Sequence, residues 1–278
     1  MRSLRRIFAL AAVAALAATC GGDTQPIAIV ASSAGSLEPG PQRVLLALVD
    51  PQSNEFLASP DIGAAADFTG PTGESIGGVP LDFIWGVPDV RGLYRAIVDL
   101  PVAGAWSVTI SADGFPATQP ASLIVVEDTD MPQVGDPGPA VESATSDGPD
   151  FSAISSDPEP DPDFYRLSLD EAMADGRPTV VVFATPAFCT SETCGPVLDN
   201  VKQVAGEHPD VDFVHVEIYE NLDADSAEDL ITVPAVDEWG LPSEPWVFVT
   251  DAEGLVTARF EGAVDPAELS AAVAGLGA

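Results

Sequence analysis

The stretch TVVVFATPAFCTSETCGP, from Thr179 to Pro196, joins an apolar run to a pair of cysteines. Its first six residues, Thr179–Ala184, are nearly all apolar, and three of them are valine. A continuous β-branched run of this length is typical of a strand that is buried on both faces of a sheet. Two of the three cysteines in the 278-residue chain, Cys189 and Cys194, follow this run. The stretch therefore predicts a buried strand that leads directly into a cysteine pair.

The segments on either side of this strand alternate between helix and strand patterns. The residues Ser168–Glu171 form a capping box, which predicts a helix that ends near Gly176. The last segment opens with Asp265 as N-cap and Pro266 at the first helical position. Apolar patterns downstream of the cysteines predict a helix, a strand, a two-strand hairpin and a closing helix, over residues 196–205, 211–219, 246–262 and 265–276. This order indicates an α/β domain.

The order of elements, with cysteines directly after the first long apolar strand, resembles the thioredoxin fold over residues 164–278. A second landmark agrees with it, because WGLPSEPWVFV places Trp239 and Gly240 shortly before Pro245 and a strand-like run. In the thioredoxin family an aromatic-glycine pair precedes a cis-proline, and the backbone beside that proline holds the substrate peptide. The resemblance implies a cis bond at Pro245 and substrate binding by Pro245 and Glu244. The alternative for Pro245 is a proline that simply opens a strand.

The spacing of the two cysteines departs from the family pattern. Thioredoxins use C-x-x-C, whereas four residues separate Cys189 from Cys194. Residues five apart on one helix lie roughly 8–9 Å apart between Cα atoms, and a disulfide needs less than about 7 Å. A disulfide therefore requires Cys189 in the loop before the helix and Cys194 at or near the helix start.

Two other alignments of the cysteines remain open at this point. The residues CGPV, from Cys194 to Val197, match the thioredoxin sequence C-G-P-C with Val197 in place of the second cysteine. The residues TPAFCT also resemble the peroxiredoxin motif, although Thr185 lies four residues before Cys189 rather than three. The spacing alone does not choose among a C-x4-C pair and these two alternatives.

The charges near the cysteines disfavour a strongly acidic thiol. The ten residues before Cys189 contain no Lys, Arg or His, and the first basic residue after it is Lys202. Glu192 lies between the two cysteines, where a carboxylate raises a thiol pKa. This pattern favours a reductant or a structural disulfide over a strong oxidant. We expect His208 in a loop and His215 in a strand, neither of them catalytic.

The overall charge excludes one large class of partner. The chain has 44 acidic and 10 basic residues, a formal net charge of −34. Such a surface repels the phosphates of nucleic acids, so nucleic-acid binding is not expected. The resemblance to thioredoxins implies thiol–disulfide exchange, which needs only the sulfur atoms and an external electron partner. No metal or organic cofactor is therefore expected.

Residues 1–19 have the features of a secretory signal peptide. Three arginines precede an apolar run, Ile7–Ala18, that is too short to span a bilayer. Cys20 follows small residues and resembles the lipidated first residue of a bacterial lipoprotein. The alternative is cleavage after Ala15–Ala17, which leaves Cys20 as a free thiol. We expect export, a lipid anchor at Cys20, a location facing the periplasm or the cell exterior, and a compartment that permits a disulfide between the other two cysteines.

Three segments separate the expected anchor from the α/β domain. Residues 20–40 are small and polar, and we expect them to form a membrane tether. Residues 41–128 contain short apolar runs between turn signals, which predict a β-sandwich. The run over residues 92–110 resembles immunoglobulin-like bacterial surface domains. Residues 129–163 are rich in Pro, Ser and Asp and contain no Lys or Arg, which predicts a disordered acidic linker. The alternative is that Phe151 and Ile154 dock onto a neighbouring domain.

These features favour thiol–disulfide exchange with extracytoplasmic proteins. In this hypothesis Cys189 attacks a substrate disulfide and Cys194 resolves the mixed disulfide. One alternative is a non-catalytic binding or scaffold lipoprotein in which Cys189–Cys194 is a structural disulfide. A weaker alternative is a peroxiredoxin-like thiol peroxidase acting at Cys189. That activity needs an activating arginine, for which Arg259 is the only candidate.

Overall fold

The computed structural model describes residues 25–224 and 226–277, which form two domains. The first is an antiparallel β domain with the strand order β1-β2-β5-β4-β3-β6-β7. Its strands are β1 (Ile27–Val30), β2 (Gly40–Val49), β3 (Ala64–Thr69), β4 (Ser75–Val87), β5 (Arg91–Leu100), β6 (Gly104–Ala112) and β7 (Ala121–Val125). The signal peptide expected over residues 1–19 and the lipidation expected at Cys20 lie outside the described residues.

The long strand β4 folds the first domain into two layers. Its first half pairs with β3 and its second half pairs with β5, so the two ends of the sheet face each other. The core between the layers takes alternate residues of each strand, and Trp106, Val108 and Ile110 of β6 are all buried, as their spacing predicts. The expected all-β architecture is therefore present.

The first domain begins earlier than the sequence indicates. Within the expected tether of residues 20–40, Ile27–Val30 forms β1 and pairs antiparallel with the end of β2. Ser36 and Leu37 are also buried. The residues around this short apolar run are polar, so the composition did not indicate a strand. The strand forms because pairing with one neighbour, β2, satisfies backbone hydrogen bonds.

The second domain is a four-stranded α/β structure with the strand order β11-β10-β8-β9. Only β8 and β9 are parallel, and the other pairs are antiparallel. Its elements are α1 (Leu169–Ala174), β8 (Thr179–Ala184), α2 (Cys194–Ala205), β9 (Asp212–Glu217), α3 (Pro234–Glu238), β10 (Trp246–Thr250), β11 (Val256–Glu261) and α4 (Pro266–Ala274). The predicted order is confirmed, with α3 as an additional short helix.

Strand β8 is buried on both faces, as its valine-rich sequence predicts. One face packs against helices α2 and α4 in a single apolar cluster. On the other face, Phe183 of β8 and Phe248 of β10 pack with α1 and the indole of Trp239. The sheet is therefore covered by a layer on each side, and its first strand ends directly beneath the cysteine loop.

The segment over residues 129–163 differs from the predicted disordered linker. It lies against the second domain, where Gly135 and Gly138 donate hydrogen bonds to Val256 and Gly254 at 2.8 and 2.9 Å. Met131 and Phe151 are only 2% and 7% exposed. The segment has too few apolar residues to form a core of its own, but these few dock onto a core that the second domain already provides.

Gly240 shows how closely this segment approaches the second domain. Its φ is +60°, and a Cβ atom there would lie 2.7 Å from the backbone of Asp130. Beside it, the buried indole of Trp239 donates a hydrogen bond to the carbonyl of Pro139 at 3.0 Å. Only glycine adopts this conformation without strain at such a close backbone contact.

The two domains meet through a buried cluster of charges. Arg43 and Arg95, on adjacent strands of the first domain, both contact Glu268 of α4, at 2.8 and 2.9 Å. Burial alone would raise the pKa of Glu268, but the hydrogen bonds and charges of the two arginines hold it below its usual value. In addition, Glu261 accepts hydrogen bonds from Ser33 N and Ser36 Oγ at 2.7 and 2.9 Å.

An apolar contact lies beside these charges. Ala263 of the second domain is buried against Leu45 and Leu93 of the first. Together with the arginine contacts it holds the β domain over one edge of the α/β domain. Among the described residues, none of the helices has both the length and the apolar character that crossing a bilayer requires.

Candidate active site

Cys189 and Cys194 form a disulfide, which confirms the predicted pairing. Cys189 lies in the loop after β8, and Cys194 is the first residue of α2. Their Cα atoms are 6.0 Å apart, within the range that a disulfide requires. Cys194 is fully buried, whereas Cys189 is half-buried at the edge of the α2 core. The pair therefore has one sulfur near the surface and one behind it.

The loop between the cysteines is held by short-range hydrogen bonds around Cys189. The backbone N–H of Cys194 donates to the Cys189 sulfur at 3.3 Å, and the Ser191 hydroxyl lies 3.2 Å from the same atom. Thr193 supports Ser191 through a contact of 2.7 Å between their hydroxyls. Because the N-terminus of a helix stabilises negative charge, these donors suit a Cys189 thiolate in the reduced protein.

A cation reaches this loop from the first domain. Arg91, the first residue of β5, donates to the carbonyl of Ser191 at 2.5 Å and to the carboxylate of Glu192 at 2.9 Å. Its guanidinium also stacks over the ring of Phe56, with 4.9 Å to the centroid. Arg91 lies 100 residues before Ser191 in the chain, so the basic residues near the cysteines in sequence do not include it. No local pattern marks Arg91, because the contact exists only once both domains have folded.

The peptide bond between Glu244 and Pro245 is cis, as the resemblance implies. Pro245 is buried directly before β10, and its carbonyl accepts a hydrogen bond from Gly262 at 2.9 Å. Burial raises the pKa of the Glu244 carboxyl. The structure therefore places both predicted substrate-binding residues beside the central sheet.

The cysteine loop and the proline loop line the same cavity, which has a volume of about 450 Å³. The second domain contributes two sets of residues to it, Thr190, Ser191 and Thr193 and then Pro242, Ser243 and Glu244. The first domain closes the opposite side with mainly apolar side chains, among them Leu45, Phe56 and Leu93. Of the predicted site residues, Glu244 lines this cavity, whereas Cys189, Cys194 and Pro245 lie next to lining residues and do not line it themselves.

His215 supports the loop from below and is not exposed to the cavity surface. It is 2% exposed, and burial lowers its pKa. Its Nε2 lies 2.9 Å from the carbonyl of Ala184, so this nitrogen carries the proton. Its Nδ1 therefore accepts from the Tyr165 hydroxyl at 2.7 Å, and that hydroxyl contacts Ser155 Oγ at 2.9 Å. This network ties the end of β8 to the segment that precedes the second domain.

The remaining predicted residues lie away from the cysteines. His208 contacts Ser270 at 3.0 Å. Arg259 donates to the carbonyl of Ser36 at 2.7 Å and lies over the ring of Trp246, and burial lowers its pKa. Within the described parts of the chain it makes no hydrogen bond to the cysteine loop. Those parts also contain no group of three or more His, Cys, Asp or Glu side chains that could hold a metal ion.

Comparison with known proteins agrees with this geometry. Residues 165–276 match the model of a family described as a thioredoxin-like domain. The second domain is thioredoxin-like. Among solved structures, the chain is similar to a thiol:disulfide interchange protein of the thioredoxin family from Chlorobium tepidum TLS. The two are 20% identical with a TM-score of 0.33, over 50% of this chain and 94% of that chain. No curated protein matches the chain.

The first domain has immunoglobulin-like neighbours among solved structures. One is the TIG domain of human nuclear factor of activated T-cells, cytoplasmic 4, which is 13% identical with a TM-score of 0.26. That match covers 39% of this chain and 93% of the TIG domain. Another is the PKD domain of the human VPS10 domain-containing receptor SorCS2, at 13% identity and a TM-score of 0.19, over 38% of this chain and 73% of that domain. The predicted sequence of an antiparallel β domain and then a thioredoxin-like domain is confirmed.

Proposed function

We propose that this protein carries out thiol–disulfide exchange with extracytoplasmic proteins through Cys189 and Cys194. The observation that carries this proposal is the position of the disulfide in the thioredoxin-like domain. The half-buried residue, Cys189, lies in the loop directly before α2, and the second residue, Cys194, is buried at the first position of that helix. This arrangement leaves one sulfur open to attack a partner and one in reserve to complete the reaction.

The exchange proceeds in two steps. In the reduced protein the Cys189 thiolate attacks one sulfur of a substrate disulfide, forms a mixed disulfide and releases one substrate thiolate. The Cys194 thiolate then attacks the Cys189 sulfur, forms the Cys189–Cys194 disulfide and releases the second substrate thiolate. The substrate gains two electrons and the protein loses two. An external dithiol donor must return them before the next turnover.

Glu244 and Pro245 form the proposed substrate-binding edge. Glu244 lines the cavity that the cysteine loop also lines, and Pro245 follows it directly, so a polypeptide held there would contact the cysteine loop. The Glu244 carboxylate and the strongly acidic chain favour substrate segments that are neutral or basic.

The proposed location is outside the cytoplasm, with a lipid anchor at Cys20. The signal-like residues 1–19 support export, and the lipoprotein-like position of Cys20 supports the anchor. The disulfide is consistent with this location, because stable disulfides form in oxidising compartments.

The decisive experiment is a redox titration of the whole exported chain with Cys20→Ser, which leaves only the two paired cysteines. The protein is equilibrated in graded thiol buffers, and alkylated cysteines are counted by mass. A midpoint between about −120 and −270 mV supports exchange activity, and one below about −300 mV indicates a structural disulfide. A chain that forms no disulfide in any buffer would contradict the proposal.

A binding or scaffold function is the second candidate. The observation that favours it is the cover over the cysteine loop, where Arg91 and the apolar side chains of the first domain close one side of the cavity. A midpoint below the exchange range, together with unchanged partner capture in Cys189→Ser, would select this function. The position of Arg259, bound to Ser36 and Trp246, gives no support to a peroxidase.

A further inference from the structure

The cysteine loop carries one negative charge, and its ion-pair partner comes from the first domain rather than from the second. Glu192 lies between the two cysteines, and its side chain is 72% exposed. Its backbone has φ of +60°, a left-handed conformation that turns the loop back toward Cys194. The carboxylate therefore belongs to the same short loop as the Cys189 sulfur, which must become a thiolate. The nearest basic side chain in the α2 helix, Lys202, is already paired with Asp157 at 2.6 Å.

The first domain supplies the missing charge through Arg91. Its two terminal nitrogens hold two neighbouring residues of the loop at once, the carbonyl of Ser191 and the carboxylate of Glu192. The hydroxyl of Ser191 in turn lies 3.2 Å from the Cys189 sulfur. The carboxylates that line the cavity are Glu244 and Glu261, and Glu261 accepts hydrogen bonds from Ser33 and Ser36.

We propose that Arg91 is a positioning residue for Cys189, supplied by the β domain to the redox loop of the thioredoxin-like domain. It neutralises Glu192 and fixes the Ser191 backbone, and both effects favour the Cys189 thiolate over the thiol. This inference deepens the proposed function, on which it rests, by assigning the β domain a role in the reactivity of the cysteine pair. A domain without any cysteine or histidine of its own then controls the chemistry of its neighbour.

The test is the pH dependence of Cys189 alkylation in the reduced whole chain that carries Cys20→Ser and Cys194→Ser. The rate with iodoacetamide is measured from about pH 5 to about pH 10, which brackets an ordinary thiol pKa near 8.5. The midpoint of the profile reports the pKa of Cys189, and the plateau reports access to its sulfur. A residue that merely held the domains together would change the plateau and leave the midpoint in place.

Four variants give distinct expectations. Arg91→Gln should raise the midpoint by roughly 0.5 to 1 pH unit, which is about 3- to 10-fold less thiolate at neutral pH. Glu192→Gln should lower it, and the double variant should return it close to the parent value because both charges are gone. Arg91→Lys should restore part of the shift. Circular dichroism confirms that each variant is folded.

Arg166→Gln is the control, because Arg166 forms an exposed ion pair with Asp163 in the second domain and, among the described residues, has no ion pair with the cysteine loop or with the first domain. It should leave the midpoint unchanged. An unchanged midpoint in folded Arg91→Gln would overturn the inference, as would an equal shift in Arg166→Gln. The assay uses no substrate, so it gives an answer even if the redox titration identifies a structural disulfide. Conversely, an unchanged midpoint leaves the redox titration valid.

Discussion

The two domains contribute unequal parts of one site. The thioredoxin-like domain carries both sulfurs and the cis-proline loop, yet its cysteine loop contains a carboxylate and no cation. The β domain carries neither Cys nor His, but it provides Arg91 and the apolar wall opposite the cysteine loop. The difference teaches that reactive atoms and the charges that tune them need not come from the same folding unit. A site of this kind depends on how the domains are held together.

The largest expected effect lies wholly within the thioredoxin-like domain. Cys189→Ser should lower the rate of disulfide exchange on the order of 10³-fold, because the attacking sulfur is gone. Cys194→Ser should instead accumulate a mixed disulfide between Cys189 and the substrate, visible as a mass increase on non-reducing analysis. Cys20→Ser provides the control and should retain the parent rate in the soluble protein. Equal activity in the parent and Cys189→Ser would assign the chemistry to another residue.

The next effect concerns the contact between the domains. Glu268→Gln leaves the guanidinium groups of Arg43 and Arg95 without their shared carboxylate in a largely buried position. We expect a loss of about 3 kcal/mol in the free energy of unfolding, measured by urea denaturation. Arg166→Gln removes an exposed ion pair with Asp163 and should cost less than about 0.5 kcal/mol. If the two losses were equal, the interface charges would not hold the domains together.

The smallest expected effect concerns His215, which binds the end of β8 beneath the cysteine loop. Because burial lowers the pKa of His215, the unfolded chain binds a proton first as the pH falls. The contribution of neutral His215 to the free energy of unfolding is therefore fully present above about pH 6.5. Below that pH it decreases by at most about 1.4 kcal/mol per pH unit. His215→Gln should flatten this part of the stability profile.

Asp212 acts in the opposite sense in the same range, since burial raises its pKa to about 6. Its charged form is disfavoured in the folded protein, so a fall in pH through this value relieves a penalty. The measured quantity is therefore the difference between the parent and His215→Gln profiles, obtained by urea denaturation at each pH. Parallel profiles would contradict this prediction, because they would show that the pKa of His215 is the same in the folded and unfolded chains.

Much of the thioredoxin-like domain follows from local sequence signals. The valine-rich β8 is buried on both faces, and the N-cap Asp265 accepts a hydrogen bond from Ala267 at 2.9 Å. The C-x4-C spacing also required that a disulfide place Cys189 before the helix and Cys194 at or near its start, because residues five apart on one helix are too far apart to bond, and the structure has this arrangement. These signals are readable because each depends on residues that are close in the chain.

The segment over residues 129–163 and the strand at Ile27–Val30 were not predictable in this way. Both have polar compositions that satisfy the usual rules for a linker or a tether. Their order comes from surfaces elsewhere in the molecule, such as the aromatic ring of Tyr165 against which Phe151 packs at a centroid distance of 5.0 Å. Composition measures whether a segment can form its own core and carries no information about a core that it can join.

The sequence by itself determined the two fold classes, since strand patterns and helix caps act over a few residues. It left the cysteine pairing as one of three alternatives, and the cis-proline was implied only by the resemblance to thioredoxins. Only the tertiary structure decided what surrounds the cysteines. Arg91 lies about a hundred residues from Ser191 in the chain, yet its guanidinium is 2.5 Å from the Ser191 carbonyl. Charges act through space rather than along the chain, so the electrostatic environment of Cys189 became readable only when the two domains were seen together.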